Sequence, residues 1–176
     1  MANKQALRDL QMRLADRLQV ARTQGVAAAW LAVEAGDKKY LFPLVQSGEI
    51  FPWAALQPVP YTQGWFVGVA NLRGRLVGVV DLAGFVSGEP KLGLSESACS
   101  ESRFVLLNSA LEVNCALWID RLSGLRNQGM FCDFSGRASD APDFFGNSYV
   151  DFKGVTWQEI NLQKLAQEAH FLTIGA

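Results

Sequence analysis

The sequence predicts an all-β protein with flanking helices, and three observations support this prediction. From residue 29 to about residue 118 the chain consists of short apolar runs, and turn residues separate these runs at hairpin spacing. No segment with a helical period intervenes between the runs, which disfavours an alternating β-α-β array. The helical signals lie instead at the two ends of the chain. A β-barrel or a β-sandwich with helices at either end satisfies all three observations.

The first 28 residues predict an amphipathic helix that precedes a single β domain over residues 29–176. Leucines at positions 7, 10, 14 and 18 share one helical face, and charged residues occupy the other side. Gly25 is a suitable stop signal for this helix. Two interpretations of the leucine face stand: it packs on its own domain, or it docks on a partner protein.

The middle of the chain predicts three hairpins and two loops. Apolar runs pair across turns of small and polar residues, and serine, glycine, aspartate and proline mark the longer connections. The hairpins are 30–33 with 39–42, 65–69 with 75–82, and 103–107 with 113–119, and the loops are 87–102 and 133–148. A last strand is predicted over 155–160, although this segment is more polar than the others. A helix with Asn161 as N-cap follows and runs to His170.

Charge and composition exclude several classes of function. Sixteen Lys and Arg oppose seventeen Asp and Glu, so there is no basic excess to drive nucleic-acid binding. His170 is the single histidine, which removes every site that needs two imidazoles. The three cysteines form no CxxC pair and suit reduced thiols in a cytosol. The longest glycine-free apolar run is too short to span a bilayer, so we expect a cytoplasmic protein without direct membrane insertion.

Catalytic motifs are missing from the sequence. The glycine-dense stretch 64–88 contains neither GxxxxGK[ST] nor GxGxxG, and its glycines suit curved strands. A hydrolase triad would need His170 as its base, and no GxSxG motif presents a serine. Cys132 has no activating neighbour in the sequence. We therefore predict a protein that is not an enzyme, with no catalytic residue, no metal site and no cofactor.

One polar group remains for binding, at the tip of the second hairpin. The run from Gly68 to Leu76 places Asn71, Arg73 and Arg75 between two very apolar strands. Asn71 and Gly74 can form the turn, so Arg73 is not needed for it. An arginine here offers five donors in a planar fork to a partner. The alternatives are a solvated arginine or an arginine paired with Asp81.

This hairpin resembles the signature of the CheW-like chemosensory adaptors. That family carries a Gly-Val-x-Asn-Leu-Arg-Gly core followed by an apolar strand ending in Asp-Leu, which matches residues 68–74 and 81–82 here. The resemblance extends over about residues 29–165, and Glu49-Ile50 and Ile119-Asp120 fall at family positions. Within the family the sequence is most similar to the PilI branch, which serves type IV pili and twitching motility. Two residues depart from the pattern: Gly78, where many relatives carry proline, and Ser47, where many carry an apolar residue.

The resemblance implies two five-stranded SH3-like barrels around a shared hydrophobic core. It also implies an adaptor that couples the cytoplasmic tip of a methyl-accepting receptor to the regulatory domain of a CheA-type histidine kinase. Such a protein is cytoplasmic and is recruited to membrane receptor arrays. Carried over residue by residue, Glu49, Gly68, Asn71 and Arg73 match the receptor-facing surface, and exposed apolar residues of the first lobe are the expected kinase-facing patch.

Three alternative functions stay open at this point. The first is an adaptor of flagellar chemotaxis, which would share fold and partners. The second is a detached regulatory domain of a kinase, which has the same two-barrel architecture. The third belongs to a different class and is a small ligand-binding barrel or hydrolase.

Overall fold

A computed structural model describes residues 29–89 and 100–176 of the chain. The predicted N-terminal helix therefore lies outside the described residues, and so does most of the serine-rich loop. The described ranges form eleven strands and three short α-helices. The strands are β1 (Trp30–Ala35), β2 (Lys38–Pro43), β3 (Ser47–Pro52), β4 (Phe66–Leu72), β5 (Arg75–Asp81), β6 (Arg103–Leu107), β7 (Cys115–Ile119), β8 (Arg121–Arg126), β9 (Phe131–Ser135), β10 (Phe145–Asp151) and β11 (Thr156–Ile160). The helices are α1 (Leu82–Ser87), α2 (Leu162–Gln167) and α3 (Ala169–Leu172).

The strands form two sheets, one in each of two lobes. The first lobe contains a six-stranded sheet in the order β8-β1-β2-β11-β10-β9, and the second contains a five-stranded sheet in the order β3-β6-β7-β5-β4. From residue 29 onward, the chain forms β1 and β2 in the first lobe, then the second lobe, and then the remaining strands of the first. The all-β prediction is confirmed, and the first sheet has one strand more than the five that the resemblance implies.

The three predicted hairpins form, because each is encoded by neighbouring residues. β1 and β2 meet across a turn in which Gly36 has a φ of +60°, and β4 pairs with β5 in the same way across a short turn. β6 and β7 pair across a connection where the Asn108 side chain accepts a hydrogen bond from the Ala110 N–H. Local turn chemistry thus sets the register of all three pairs.

One expectation about the connections is wrong. Helix α1 follows β5 directly, although no helical segment was expected between the strands. It is only six residues long, which is too short for a helical period to stand out from an apolar run. The sheets also contain two parallel pairs, β5 with β7 and β2 with β11, which a hairpin-only interpretation does not anticipate.

The predicted loop 133–148 is also shorter than expected. β9 extends into it from one side and β10 from the other, so irregular chain is confined to residues 136–144. β9 is an edge strand and four of its five residues are exposed. Because solvent covers much of this strand, its aspartate and serine carry no burial cost and the usual apolar signal is absent.

The C-terminal helix starts as predicted but ends early. The Asn161 side chain accepts a hydrogen bond from the Lys164 N–H at 3.0 Å and caps α2. The helix stops at Gln167, because Glu168 adopts an extended conformation with ψ 124°, and α3 then restarts the helical path. The break turns Phe171 into the core, where it is 3% exposed.

The buried apolar residues form three clusters. One lies within the second lobe and contains Phe104 and Trp118, and another lies within the first and contains Leu41 and Trp157. The largest cluster lies between the lobes and draws on both sheets and all three helices. Adjacent residues of one strand enter different clusters, so several strands are buried on both faces, which explains their continuous apolar runs.

Among the described residues, we find no helix with the length and apolar character needed to cross a bilayer.

The shared core generates a prediction for the C-terminal segment. Phe171 stacks on Trp65 with ring centroids 6.2 Å apart and meets Phe85 edge-on at 5.3 Å. We expect Phe171→Ala to lower the free energy of unfolding by about 3–5 kcal/mol, because it removes a buried ring from this cluster. The neighbouring Leu172 is 53% exposed, so Leu172→Ala is the matched control and should change it by less than about 0.5 kcal/mol. Denaturant unfolding of both variants measures the difference, and equal effects would contradict the assignment of α3 to the core.

Candidate partner-binding surface

The turn between β4 and β5 places Arg73 at the hairpin tip. Leu72 lies opposite Arg75, so Arg73 and Gly74 are the two central residues, with φ values of +53° and +82°. Positive φ at both positions defines a type I′ turn, which matches the twist of the flanking strands. The Asn71 Oδ1 accepts a hydrogen bond from the Gly74 N–H at 2.8 Å. Asn71 therefore braces the turn from outside, and Arg73, expected to be dispensable for the turn, is part of it.

Arg73 forms an ion pair with Glu49 on β3. Its guanidinium carbon also lies 5.4 Å from the centre of the Phe51 ring on the same strand. The alternative pairing with Asp81 is wrong, because Asp81 is fully buried at the far end of β5. The side chain of Arg73 is 75% exposed and that of Glu49 is 46% exposed, so both charges remain accessible to a partner.

The ion pair bridges the two edges of the five-stranded sheet. β3 and β4 are the outermost strands of this sheet, and the hairpin tip reaches from one to the other. Beneath the pair, Phe51 packs in the same cluster as Ala70 and Leu72 of β4. The Glu49–Arg73 pair thus lies over an apolar seam, which is the place where side chains of β3 and β4 share one buried cluster.

Gly68 allows another segment of backbone to pass very close to β4. It is buried, has a φ of +130°, and lies at a register shift between β4 and β5. Gln57 pairs with Val69 through backbone hydrogen bonds of 2.8 and 2.9 Å and passes directly over Gly68. A Cβ at position 68 would collide with the Gln57 carbonyl, so only glycine permits this close approach.

Of the four residues singled out from the sequence, two meet and two support them. Glu49 and Arg73 are in direct contact, Asn71 holds the turn, and Gly68 lies beneath the sheet surface. Sequence reasoning missed Phe51, which lies under the Arg73 guanidinium. No sequence signal links Phe51 to Arg73, because the two are separated by 21 intervening positions and meet only when the sheet edges close.

Two groups that could support nucleophilic chemistry, Cys115 and Tyr40, are buried. Burial raises the pKa of the Cys115 thiol to about 12, which leaves it protonated at neutral pH. Burial likewise raises the pKa of Tyr40 to about 12. His170 stacks on Phe85 with ring centroids 5.4 Å apart and meets Trp65 edge-on at 5.5 Å. The imidazole therefore contributes ring packing at the lobe interface.

The crowding at Gly68 gives a first prediction for this surface. We expect Gly68→Ala to lower the free energy of unfolding by about 2 kcal/mol or more, because the methyl group meets backbone and the φ is unfavourable for alanine. Gly136→Ala is the matched control, since a Cβ there meets open space, and should change it by less than about 0.5 kcal/mol. Thermal unfolding of both variants checks this, and equal melting temperatures would contradict the close approach of Gln57.

The turn gives a second prediction. We expect Arg73→Asn to leave the free energy of unfolding unchanged or to raise it by up to about 1 kcal/mol. Asn-Gly is the preferred type I′ pair, whereas an exposed ion pair contributes only about 0–1 kcal/mol. Urea unfolding measures the difference. A decrease in the free energy of unfolding by more than about 2 kcal/mol would instead show that the Glu49–Arg73 pair is needed for the stability of the second lobe.

The sequence matches a known protein family. A family model described as the CheW-like domain matches residues 29–129. Protein PilI of Pseudomonas aeruginosa is 32% identical over 92 residues, which are 52% of this chain and 48% of that protein. The chain thus aligns with about half the length of this curated relative.

A solved structure shows the same fold. The scaffolding protein TtCheW from Thermoanaerobacter tengcongensis superposes with a TM-score of 0.62 at 16% identity, covering 84% of this chain and 97% of that one. The two sheets correspond to the two SH3-like barrels of this fold, as expected from the resemblance. Because the family model covers more than half of the sequence, the chain belongs to the CheW-like family of scaffold and adaptor proteins.

Proposed function

We propose that this protein couples the cytoplasmic tip of a methyl-accepting receptor to the regulatory domain of a CheA-type histidine kinase and performs no chemistry of its own. The observation that carries the proposal is the exposed Glu49–Arg73 pair across the seam of the second lobe. Membership of an adaptor family supports the general role. The particular partners and the pathway are part of the proposal.

The proposed contact with the receptor depends on those hydrogen-bond donors of Arg73 that Glu49 does not occupy. A guanidinium carries five donors in a planar fork, and one carboxylate occupies at most two of them. The 75% exposure of this side chain leaves the other donors accessible to a helical hairpin laid against the sheet edge. Gly68 and Asn71 act indirectly here, since one allows the close backbone packing and the other holds the turn.

The kinase side is assigned to the first lobe, where large apolar side chains are exposed. Leu125 on β8 is 54% exposed, Phe134 on β9 is 63% exposed, and Phe152 after β10 is 74% exposed. Aromatic side chains at this exposure are typical anchors of protein interfaces. They lie on a different lobe from the Glu49–Arg73 pair, which would allow two partners to bind at the same time.

The proposed pathway is the one that controls type IV pili and twitching motility. The 32% identity to PilI favours this pathway over flagellar chemotaxis. In either pathway the adaptor is cytoplasmic and is recruited to receptor arrays through its partners. Identifying pilus or flagellar genes beside the gene for this protein would separate the two alternatives.

A pull-down assay tests the proposal with the folded protein. The probes are a receptor cytoplasmic fragment and a CheA-type regulatory domain, each measured at several ionic strengths because charged contacts depend on salt. We expect Arg73→Ala to weaken receptor binding by about tenfold or more while kinase binding is retained. Phe134→Ser should have the opposite effect, since it removes an exposed anchor of the first lobe.

The matched control for the receptor side is Arg137→Ala. Arg137 forms an ion pair with Asp143 at 2.6 Å in the loop between β9 and β10, away from the hairpin tip. This variant should bind both probes like the wild type. Full receptor coupling by a folded Arg73→Ala protein would contradict the role of Arg73. Failure of the wild type to bind either probe, together with turnover of a generic ester, would favour the hydrolase alternative.

A further inference from the structure

A groove lies beside the Glu49–Arg73 pair on the second lobe. It has a volume of about 260 Å³ and runs between β3, the start of β5 and the two ends of the β6–β7 connection. Leu106, Leu107 and Val113 contribute its apolar part, and Glu49 and Arg75 contribute its charges. The groove therefore combines an apolar wall with one carboxylate and one guanidinium.

The two arginines of the hairpin differ in their pairing. Arg73 is bound to Glu49 and lies over Phe51. Arg75 is exposed, and no carboxylate of the described residues forms an ion pair with it. Glu49 pairs with Arg73, so the guanidinium of Arg75 keeps its hydrogen-bond donors at the rim of the groove.

The walls of the groove are fixed before any partner arrives. The Asn114 side chain donates a hydrogen bond to the Leu76 carbonyl at 2.7 Å, and the Asn108 side chain donates one to the Val45 carbonyl at 3.0 Å. These contacts tie the β6–β7 connection to β5 on one side and to the turn before β3 on the other. Leu76, next to Arg75, is 63% exposed. Because these hydrogen bonds already hold the β6–β7 connection in place, binding at this site costs less conformational entropy.

We infer that this groove binds a carboxylate side chain of the partner's helical tip through Arg75, with apolar residues of the same helix against Leu106 and Val113. A carboxylate complements the exposed guanidinium of Arg75, whose planar fork can bind it through two hydrogen bonds. Arg75 thereby supplies a second point of charge recognition beside Arg73, whose guanidinium also holds Glu49. The inference rests on the proposed function, because the partner is taken to be the receptor tip.

Binding of the receptor cytoplasmic fragment, measured by calorimetry at low and high salt, tests the inference. We expect Arg75→Gln to raise the dissociation constant by about three- to tenfold at low salt and to flatten its salt dependence. Lys153→Gln removes an exposed cation from the other lobe and is the matched control. It should leave both quantities unchanged. Circular dichroism and a melting curve of each variant establish that it is folded.

A charge-swap cycle identifies the partner group. Arg75→Glu should weaken binding more than Arg75→Gln, and replacing one acidic residue of the fragment by lysine should restore the affinity of Arg75→Glu alone. Binding of the wild type without any effect of Arg75→Gln would overturn the inference and leave the proposed function standing. Equal losses of affinity for Arg75→Gln and Lys153→Gln would also overturn it, because they would indicate a non-specific electrostatic attraction between the protein and the fragment. Absence of wild-type binding would overturn both.

Discussion

The burial of single strands on both faces is the constraint on which the rest of this structure depends. Val79 and Val80 are neighbours in β5, yet one side chain enters the core of the second lobe and the other enters the core between the lobes. Leu31 and Ala32 divide in the same way in the first lobe. Neither lobe can close its own interior without also presenting an apolar face to its neighbour. The two lobes therefore share one buried core, which the C-terminal helices complete.

This arrangement leaves only the sheet edges and turns for recognition. The central strands are covered on both sides, so polar groups that must meet a partner can lie only where the sheet ends. The seam between β3 and β4 is such a place, and the Glu49–Arg73 pair closes it at the surface. An exposed ion pair contributes little to stability, and for this reason its role in recognition and orientation is our proposal.

The hairpin tip holds the exposed side chain of Arg73 at a cost in backbone energy. Arg73 adopts a left-handed conformation that suits asparagine or glycine better than arginine. The Asn71 side chain and the glycine at position 74 offset that cost by completing the turn. The result is a guanidinium on a rigid tip, in a family whose members act by binding other proteins. Arg75 lies two positions further along the chain, as the first residue of β5.

The sequence by itself determined the local features: the all-β class, the three hairpins, the Asn161 cap and the signature around Arg73. Each depends on residues a few positions apart, whose turn and capping chemistry needs no distant partner. Only the tertiary structure decided the parallel pairs, the closing of β3 against β4 and the contact of Arg73 with Glu49 and Phe51. These contacts join residues more than twenty positions apart, and apolar runs of equal character allow many such pairings. The shared core favours the observed pairing, because this arrangement buries both faces of β5 at once.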